Sequence, residues 1–455
     1  MTALALALVI PWAGGVALIA LDGRRRLVGW TAVALLAGNL AALTVLAVEV
    51  LPGGEVTMTT GDWPAGVGIT LRADALSVLF ALVSSFALLA AVVHEVLEGV
   101  RERMFPAMVA LLGTGLTGTF LTGDLFNFYV FFELAMTAAY VLATYGGGSR
   151  ELGAALVFML VNLLGTFVFL LSVAGVYHVT GTLDMPALTE RMAPVDPATT
   201  LLIAVGFFVA FCVKLGLFPF HFWLPTVYTG ARPAVAAILS GGLANIGAYG
   251  LLRFGADLLA PDLRYAATAL IIIGVASILY GGILAVSRSS ASEMLAYSAI
   301  GQVGYVLVAI GIGGPVGLGA AILYSVVNSL NKTLMFLTVP LRGWIAGTAF
   351  VLGAFSIAGV PPAAGFIGKL ELFRAAADSA TLIILLVLGS ALSFVYAFTT
   401  YQYEYWRTEP EGRSRAPQLA LIALVALVVL AAGVWPEPLL ALSHDAADAL
   451  TGGGS

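Results

Sequence analysis

Apolar runs, each about as long as the ~20 residues a helix needs to cross a bilayer, recur from Thr2 to beyond residue 430. Only 10% of the residues are charged and the mean hydropathy is +1.03, far too little charge to coat a soluble protein of 455 residues. The reading is an all-α polytopic membrane protein with about fourteen transmembrane helices. The expected spans are 2–21, 28–51, 73–98, 106–122, 125–145, 152–178, 200–218, 232–254, 264–286, 293–314, 316–337, 344–376, 380–407 and 416–442. No stretch is long and polar enough for a soluble domain, and the longest connections are roughly 52–72 and 179–199. The final Gly452-Gly453-Gly454-Ser455 reads as a linker foreign to the fold.

Charge placement orients the spans. Arg24, Arg25 and Arg26 follow the first apolar run instead of preceding it, which fits a first membrane helix and not a cleaved signal peptide. With the 22–27 loop inside, Arg101, Arg103, Arg150, Arg232, Arg288, Arg342, Arg407, Arg413 and Arg415 also fall inside. Only Arg72, Arg191, Arg253, Arg264 and Arg374 fall outside or near that face. This predicts a multi-pass protein of a bacterial or archaeal cytoplasmic membrane with both termini outside. The net charge of −5 is spread out and offers no basic patch for nucleic acid. Cys212 is the only cysteine, so neither a disulfide framework nor a cysteine-ligated cluster is open to the chain.

Two spans carry proline breaks, at Pro219 and at Pro361-Pro362. Proline inside a helix removes a backbone hydrogen bond, and in lipid such a break survives only under the cover of protein or a wet cavity. The breaks fall in the seventh and twelfth spans, late in two blocks, 106–254 and 264–407, of five expected spans each. An odd number of spans inverts the second copy, so the blocks read as two inverted five-helix repeats. Residues 1–100 form a three-helix N-terminal part and 416–442 a final transmembrane helix.

The chain contains three lysines, Lys214, Lys332 and Lys369, and all lie inside apolar spans, whereas arginine serves the loops. Arginine keeps its charge, but a desolvated lysine gives up its proton readily, as a proton relay requires. The plainer alternative is a lysine that snorkels to the interface or closes a static pair. Intramembrane ionisable groups beside helix breaks favour the functional reading. Glu133, flanked by Phe131, Phe132 and Leu134, needs a cation, and Lys214 is the expected partner in a switchable pair. Asp124 reads as a helix cap. His221 follows the first break and stands either on a proton path or at the interface. His94, His178 and His444 make no common spacing, so no haem, metal site or other cofactor is expected. Gly113-Thr114-Gly115-Leu116-Thr117-Gly118 matches a dinucleotide pattern but lies within a span, and reads as close helix packing.

Several stretches together carry a resemblance: Gly123 through Glu133, Lys214 through Pro225, Met294-Leu295-Ala296-Tyr297-Ser298, Lys332 through Leu337, and Gly359 through Lys369. They resemble the antiporter-like superfamily of Mrp cation/proton antiporters, respiratory complex I and membrane-bound hydrogenases. Within it, Asp124-Leu125-Phe126-Asn127 and Val176 through Leu183 look most like the D-type component of Mrp antiporters. The resemblance implies a midplane chain of protonatable residues, with Glu133, Lys214, Lys332 and Lys369 at the family's positions. It implies a subunit that works only among other hydrophobic subunits, in complexes that exchange cytoplasmic sodium for external protons. Asn245 stands where the family usually has lysine or histidine, and Tyr324 and Asn328 where histidines are common. An asparagine holds no proton but can hydrogen-bond a water that does. Asn245, Asn328, Tyr324, Ser298 and His221 are therefore the expected polar support of the route, with Pro219, Pro361 and Pro362 supplying hinges. Glu293 also stands where a basic residue is expected.

The function expected is proton translocation in one subunit of a multisubunit sodium/proton antiporter, a transporter and not an enzyme. Two alternatives stay open on the sequence. One is a proton-pumping subunit of a complex I-like or hydrogenase complex, betrayed by neighbouring flavin and iron–sulfur genes. The other is a non-transporting scaffold, against which the desolvation cost of three buried lysines counts.

Overall fold

In a computed structural model, residues 2–51, 54–59, 61, 68–406 and 416–451 are described. Arg407, Arg413, Arg415 and residues 452–455, the expected linker, lie outside the described residues. The chain opens with helices α1 (Thr2–Ile19) and α2 (Arg26–Val50), then strands β1 (Val56–Thr59) and β2 (Thr70–Ala73). Next come α3 (Ala75–Glu98), α4 (Phe105–Leu121), α5 (Leu125–Ala143), α6 (Ser149–Thr180), the short α7 (Met185–Met192), α8 (Pro197–Leu215) and α9 (Trp223–Gly230). One long helix, Pro233–Leu258, contains α10 (Pro233–Ala237) and α11 (Asn245–Gly250) between π-helical stretches at Ile238–Leu243 and Leu251–Leu258. Then follow α12 (Ala260–Val286), α13 (Ala291–Ile312), α14 (Gly314–Thr338), α15 (Trp344–Ala358), α16 (Ala364–Ala375), α17 (Ala380–Tyr401), α18 (Ala416–Val434) and α19 (Glu437–Thr451).

Twelve helices among the described residues are long and apolar enough to cross a membrane. Two more of the expected spans fall on α4 and α15, which are apolar but shorter. The chain departs from the sequence reading in two places. At the described ends of the 52–72 connection β1 and β2 pair antiparallel, Val56 opposite Ala73 and Thr59 opposite Thr70, where no strand was expected. The pair is anchored by the Gly123 N–H, which donates to the Thr70 carbonyl at 2.8 Å. The final helix is also not continuous over 416–442. It stops at Val434, because Pro436 cannot donate to the helix ladder, and restarts as α19 to Thr451.

Helix ends follow local chemistry. Asp124 caps α5, accepting from the Asn127 N–H at 2.7 Å. Burial pushes the Asp124 carboxyl up, partly offset by those backbone donors. Ser290 caps α13 and accepts from the N–H of Glu293, whose carboxylate in the first turn suits the positive helix end. This gives the unexpected acidic residue a structural reason.

Nearly all of the Pro233–Leu258 and Gly314–Thr338 windows is buried, 94% of each, against 33% for Ala380–Trp406. The first two are central helices, while α17 turns side chains such as Ile384 outward, where lipid is as apolar a solvent as the core. Glycines let backbones touch. A Cβ on Gly115 in α4 would lie 2.5 Å from the Ala135 nitrogen of α5, so the Gly113–Gly118 stretch is a packing surface. A Cβ on Gly281 in α12 would meet the Gly301 nitrogen of α13 at 2.5 Å. Gly281→Val is therefore expected to push α12 from α13 and cost about 1–3 kcal/mol, read as a lower melting temperature of the detergent-solubilised protein. An unchanged melt would show that these helices separate freely.

Candidate functional site

Both proline breaks begin the same way. α8 ends at Gly216 with φ 64° and α15 at Gly359 with φ 83°, left-handed positions that a side chain resists. Each break exposes C-terminal carbonyls that need donors. At the first, the Trp223 indole N–H donates to the Val213 carbonyl at 2.9 Å. At the second, the donor is Lys369 itself, whose Nζ donates to the Ala358 carbonyl at 3.2 Å. The cation thus sits on the negative end of a broken helix. A Cβ on Gly359 would lie 2.6 Å from Lys369 Cδ, so the glycine also makes room for the lysine stem.

The three lysines are buried, at 7%, 1% and 2% exposure for Lys214, Lys332 and Lys369. Lys214 Nζ donates to the Asn162 carbonyl at 3.0 Å and Thr166 Oγ1 at 2.9 Å, and lies 4.4 Å from the centre of the Phe132 ring. Lys332 donates to the Leu295 carbonyl at 3.1 Å and to Ser298 Oγ. Lys369 also donates to Ser390 Oγ at 3.0 Å and faces the Tyr305 ring at 4.6 Å. Among the described residues none of these groups has a carboxylate partner. The expected direct Glu133–Lys214 pair is not formed. Glu133 stays within electrostatic reach of Lys214, but the adjacent Phe132 ring and the α6 acceptors occupy the lysine, and Glu133 Oε1 has no hydrogen-bond partner. A cavity of about 10 Å³ beside Lys214, lined by Phe132, Asn162, Trp223, Tyr228 and Leu243, has room for about one water.

Between Lys332 and Lys369 runs a chain of hydroxyls. Ser298, which binds Lys332, lies near the Tyr396 hydroxyl. The Tyr396 hydroxyl donates to Ser393 Oγ at 3.3 Å and accepts from Gln302 Nε2 at 2.9 Å. Ser393 borders the Tyr305 hydroxyl, which pairs with Ser390 Oγ at 3.4 Å, and Ser390 accepts from Lys369. Tyr324 donates to Gln302 Oε1, joining α14 to the chain. Of these residues the sequence reading named Ser298 and Tyr324 and missed Gln302, Tyr305, Ser390, Ser393 and Tyr396. The signal was there as polar stripes at helical spacing, Ser298, Gln302 and Tyr305 on α13 and Ser390, Ser393 and Tyr396 on α17.

The other named residues are placed as follows. Asn245 Nδ2 donates to Ser84 Oγ at 2.9 Å, Ser329 Oγ at 3.2 Å and the Gly241 carbonyl at 3.1 Å, tying three helices together beside a π-helical stretch. Asn328 Oδ1 has no hydrogen-bond partner. His221 packs on Phe218 and Tyr280, and its Nδ1 is unpartnered. Beyond Lys369, buried Glu371 pairs with Arg374 at 2.5 Å and lies 3.7 Å from His444 of α19, a meeting that spacing did not reveal.

A separate ionic cluster holds α3 to the Pro233–Leu258 helix. Arg253 and Asp74, 5% and 6% exposed, pair at 2.7 Å, and Arg253 also reaches Tyr249 and Ser77. Burial alone would raise the Asp74 carboxyl, but the Arg253 guanidinium outweighs it and holds Asp74 well below the usual carboxylate range.

Residues 122–344 match the family described as NADH:quinone oxidoreductase/Mrp antiporter, TM. The D-type component of the Na(+)/H(+) antiporter of Alkalihalophilus pseudofirmus is 32% identical over 445 residues, covering 90% of this chain and 89% of that protein. The chain belongs to the D-type family of Mrp antiporter proteins. A solved chain of the Mrp complex from Dietzia sp. superposes with a TM-score of 0.90 at 26% identity, covering 99% of this chain and 97% of that one. The fold alone extends further: a chain of respiratory complex I from Thermus thermophilus superposes with a TM-score of 0.87 at 23% identity, over 99% of both chains. The three buried lysines and the hydroxyl chain thus sit on an Mrp antiporter scaffold.

Proposed function

We propose that this protein is the proton-translocating part of a multisubunit Na+/H+ antiporter, working among other hydrophobic subunits in a cell membrane with both termini outside. The observation that carries the reading is that three buried ammonium groups rest on neutral acceptors only, so each can exist with or without its proton. Protons pass from Lys214, modulated by Glu133, to Lys332, then along Ser298, Tyr396, Ser393, Tyr305 and Ser390 to Lys369, and outward past Glu371 and His444. The first leg, past Asn245 and Asn328, runs through water. The second is built of side-chain hydroxyls, each of which both donates and accepts. The blocks 106–254 and 264–407 act as inverted repeats whose breaks at Pro219 and Pro361-Pro362 let the helices hinge.

The test is sodium-dependent collapse of ΔpH in inverted vesicles, from a host without its own antiporters that expresses the whole neighbouring operon. Collapse is expected with the wild type; none by an assembled complex would sink the reading. Tyr396→Phe removes one hydroxyl and little volume. It is expected to slow collapse about five-fold, the equivalent of one hydrogen bond of ~1 kcal/mol. Wild-type rates would take Tyr396 off the route.

A further inference from the structure

We propose that His94, Glu95 and Glu98, at the end of α3 nearest Arg101, form a binding site for one divalent transition-metal ion of the zinc type. Their ligand atoms, one imidazole nitrogen and a carboxylate oxygen from each glutamate, all lie within 4.8 Å of one another. His94 is 1% exposed, yet neither ring nitrogen has a hydrogen-bond partner. A buried imidazole with both nitrogens idle is costly, and a metal ion relieves that cost at one of them. His94 and Glu98 are one helical turn apart on one face of α3, and Glu95 completes a mixed nitrogen and oxygen donor set. That set suits zinc and its neighbours better than calcium or magnesium, which take oxygen alone.

The outer contacts fit this role. Glu95 Oε1 accepts from the Tyr145 hydroxyl at 2.5 Å, which fixes the carboxylate as an outer partner fixes a metal ligand. Glu98, less buried, ion-pairs with Arg101 at 2.9 Å and Arg232 at 3.6 Å. A metal ion would compete for that carboxylate, drawing Glu98 from Arg232, the residue that precedes α10. Closing on an ion at bonds of about 2.0–2.2 Å takes side-chain rotation of the two glutamates. The four scattered histidines hid the site from the sequence because its other two ligands are carboxylates.

The experiment uses the purified whole complex, stripped with chelator, dialysed against micromolar Zn2+ and counted by atomic emission. Co2+ substitution reads the geometry by its visible spectrum. The wild type is expected to hold one more zinc per complex than Glu98→Gln, and His94→Gln to bind at least ~10-fold more weakly. Both variants are checked for assembly by size exclusion, and Glu98→Gln, on a partly exposed side chain, is the safer for folding. Equal zinc in wild type and both variants, or none in the wild type, would overturn the site.

Discussion

Lys369→Ala and Lys214→Ala, in complexes that still assemble, are each expected to slow sodium-dependent ΔpH collapse on the order of 10²-fold, the usual worth of a positioned proton-transfer group. The informative companion is arginine. Lys369 does two separable things: it places a positive charge on the Ala358 carbonyl at the broken end of α15, and it offers a proton to Ser390. Arginine supplies the first and not the second, because its guanidinium stays charged under all relevant conditions. If the lysine serves only as an electrostatic cap, Lys369→Arg keeps activity while Lys369→Ala loses assembly. If it passes protons, both variants are inactive and Lys369→Arg still assembles. Full transport in assembled Lys214→Ala and Lys369→Ala would place the protons elsewhere and make the protein a scaffold.

Arg253→Ala is expected to cost about 3–5 kcal/mol, enough to remove most assembled protein, because it takes the closest cation from buried Asp74 and leaves only the more distant Arg72, at 3.8 Å. Asp74→Asn with Arg253→Met removes both charges and is expected to recover much of that loss, since a buried pair is itself near break-even against apolar replacements. The sign with pH follows from the direction of the Asp74 shift. The folded carboxyl is held below its usual value, so its contribution is full above about pH 4. It is lost as pH falls below that toward the folded value. Acid melts of wild type and Asp74→Asn, compared between pH 6 and pH 3, check this. The wild type should lose stability more steeply, and parallel curves would mean that Asp74 carries no linked proton.

What the sequence could tell was decided by how local each signal is. Apolar length gives helices, proline gives breaks, and aspartate or serine before a helix gives caps, so Pro219, Pro361, Asp124 and the buried lysines were legible residue by residue. The Glu133–Lys214 pair was not, because a charge count says which groups need partners but not how two helices are rotated. Here the Phe132 ring and the α6 acceptors take the place of the carboxylate. The hydroxyl chain was missed for a related reason. A serine in a membrane helix is common alone, and Ser393 or Tyr396 gains meaning only when α13, α14 and α17 bring Ser298, Gln302 and Tyr324 beside it. The strand pair of Val56–Thr59 with Thr70–Ala73 and the split final helix lie in short segments, where pairing and a single Pro436 outweigh composition.

All three lysines of the chain lie in its interior, and this has a practical side. None of these three side chains presents its primary amine to an aqueous reagent. Acylating probes and amine cross-linkers should leave the closed bundle unmarked, and lysine-directed proteases should find no cut site. Any adduct on Lys214, Lys332 or Lys369 would then record an opening of the bundle, and its rate would clock that opening, with neighbouring subunits free to carry their own labels.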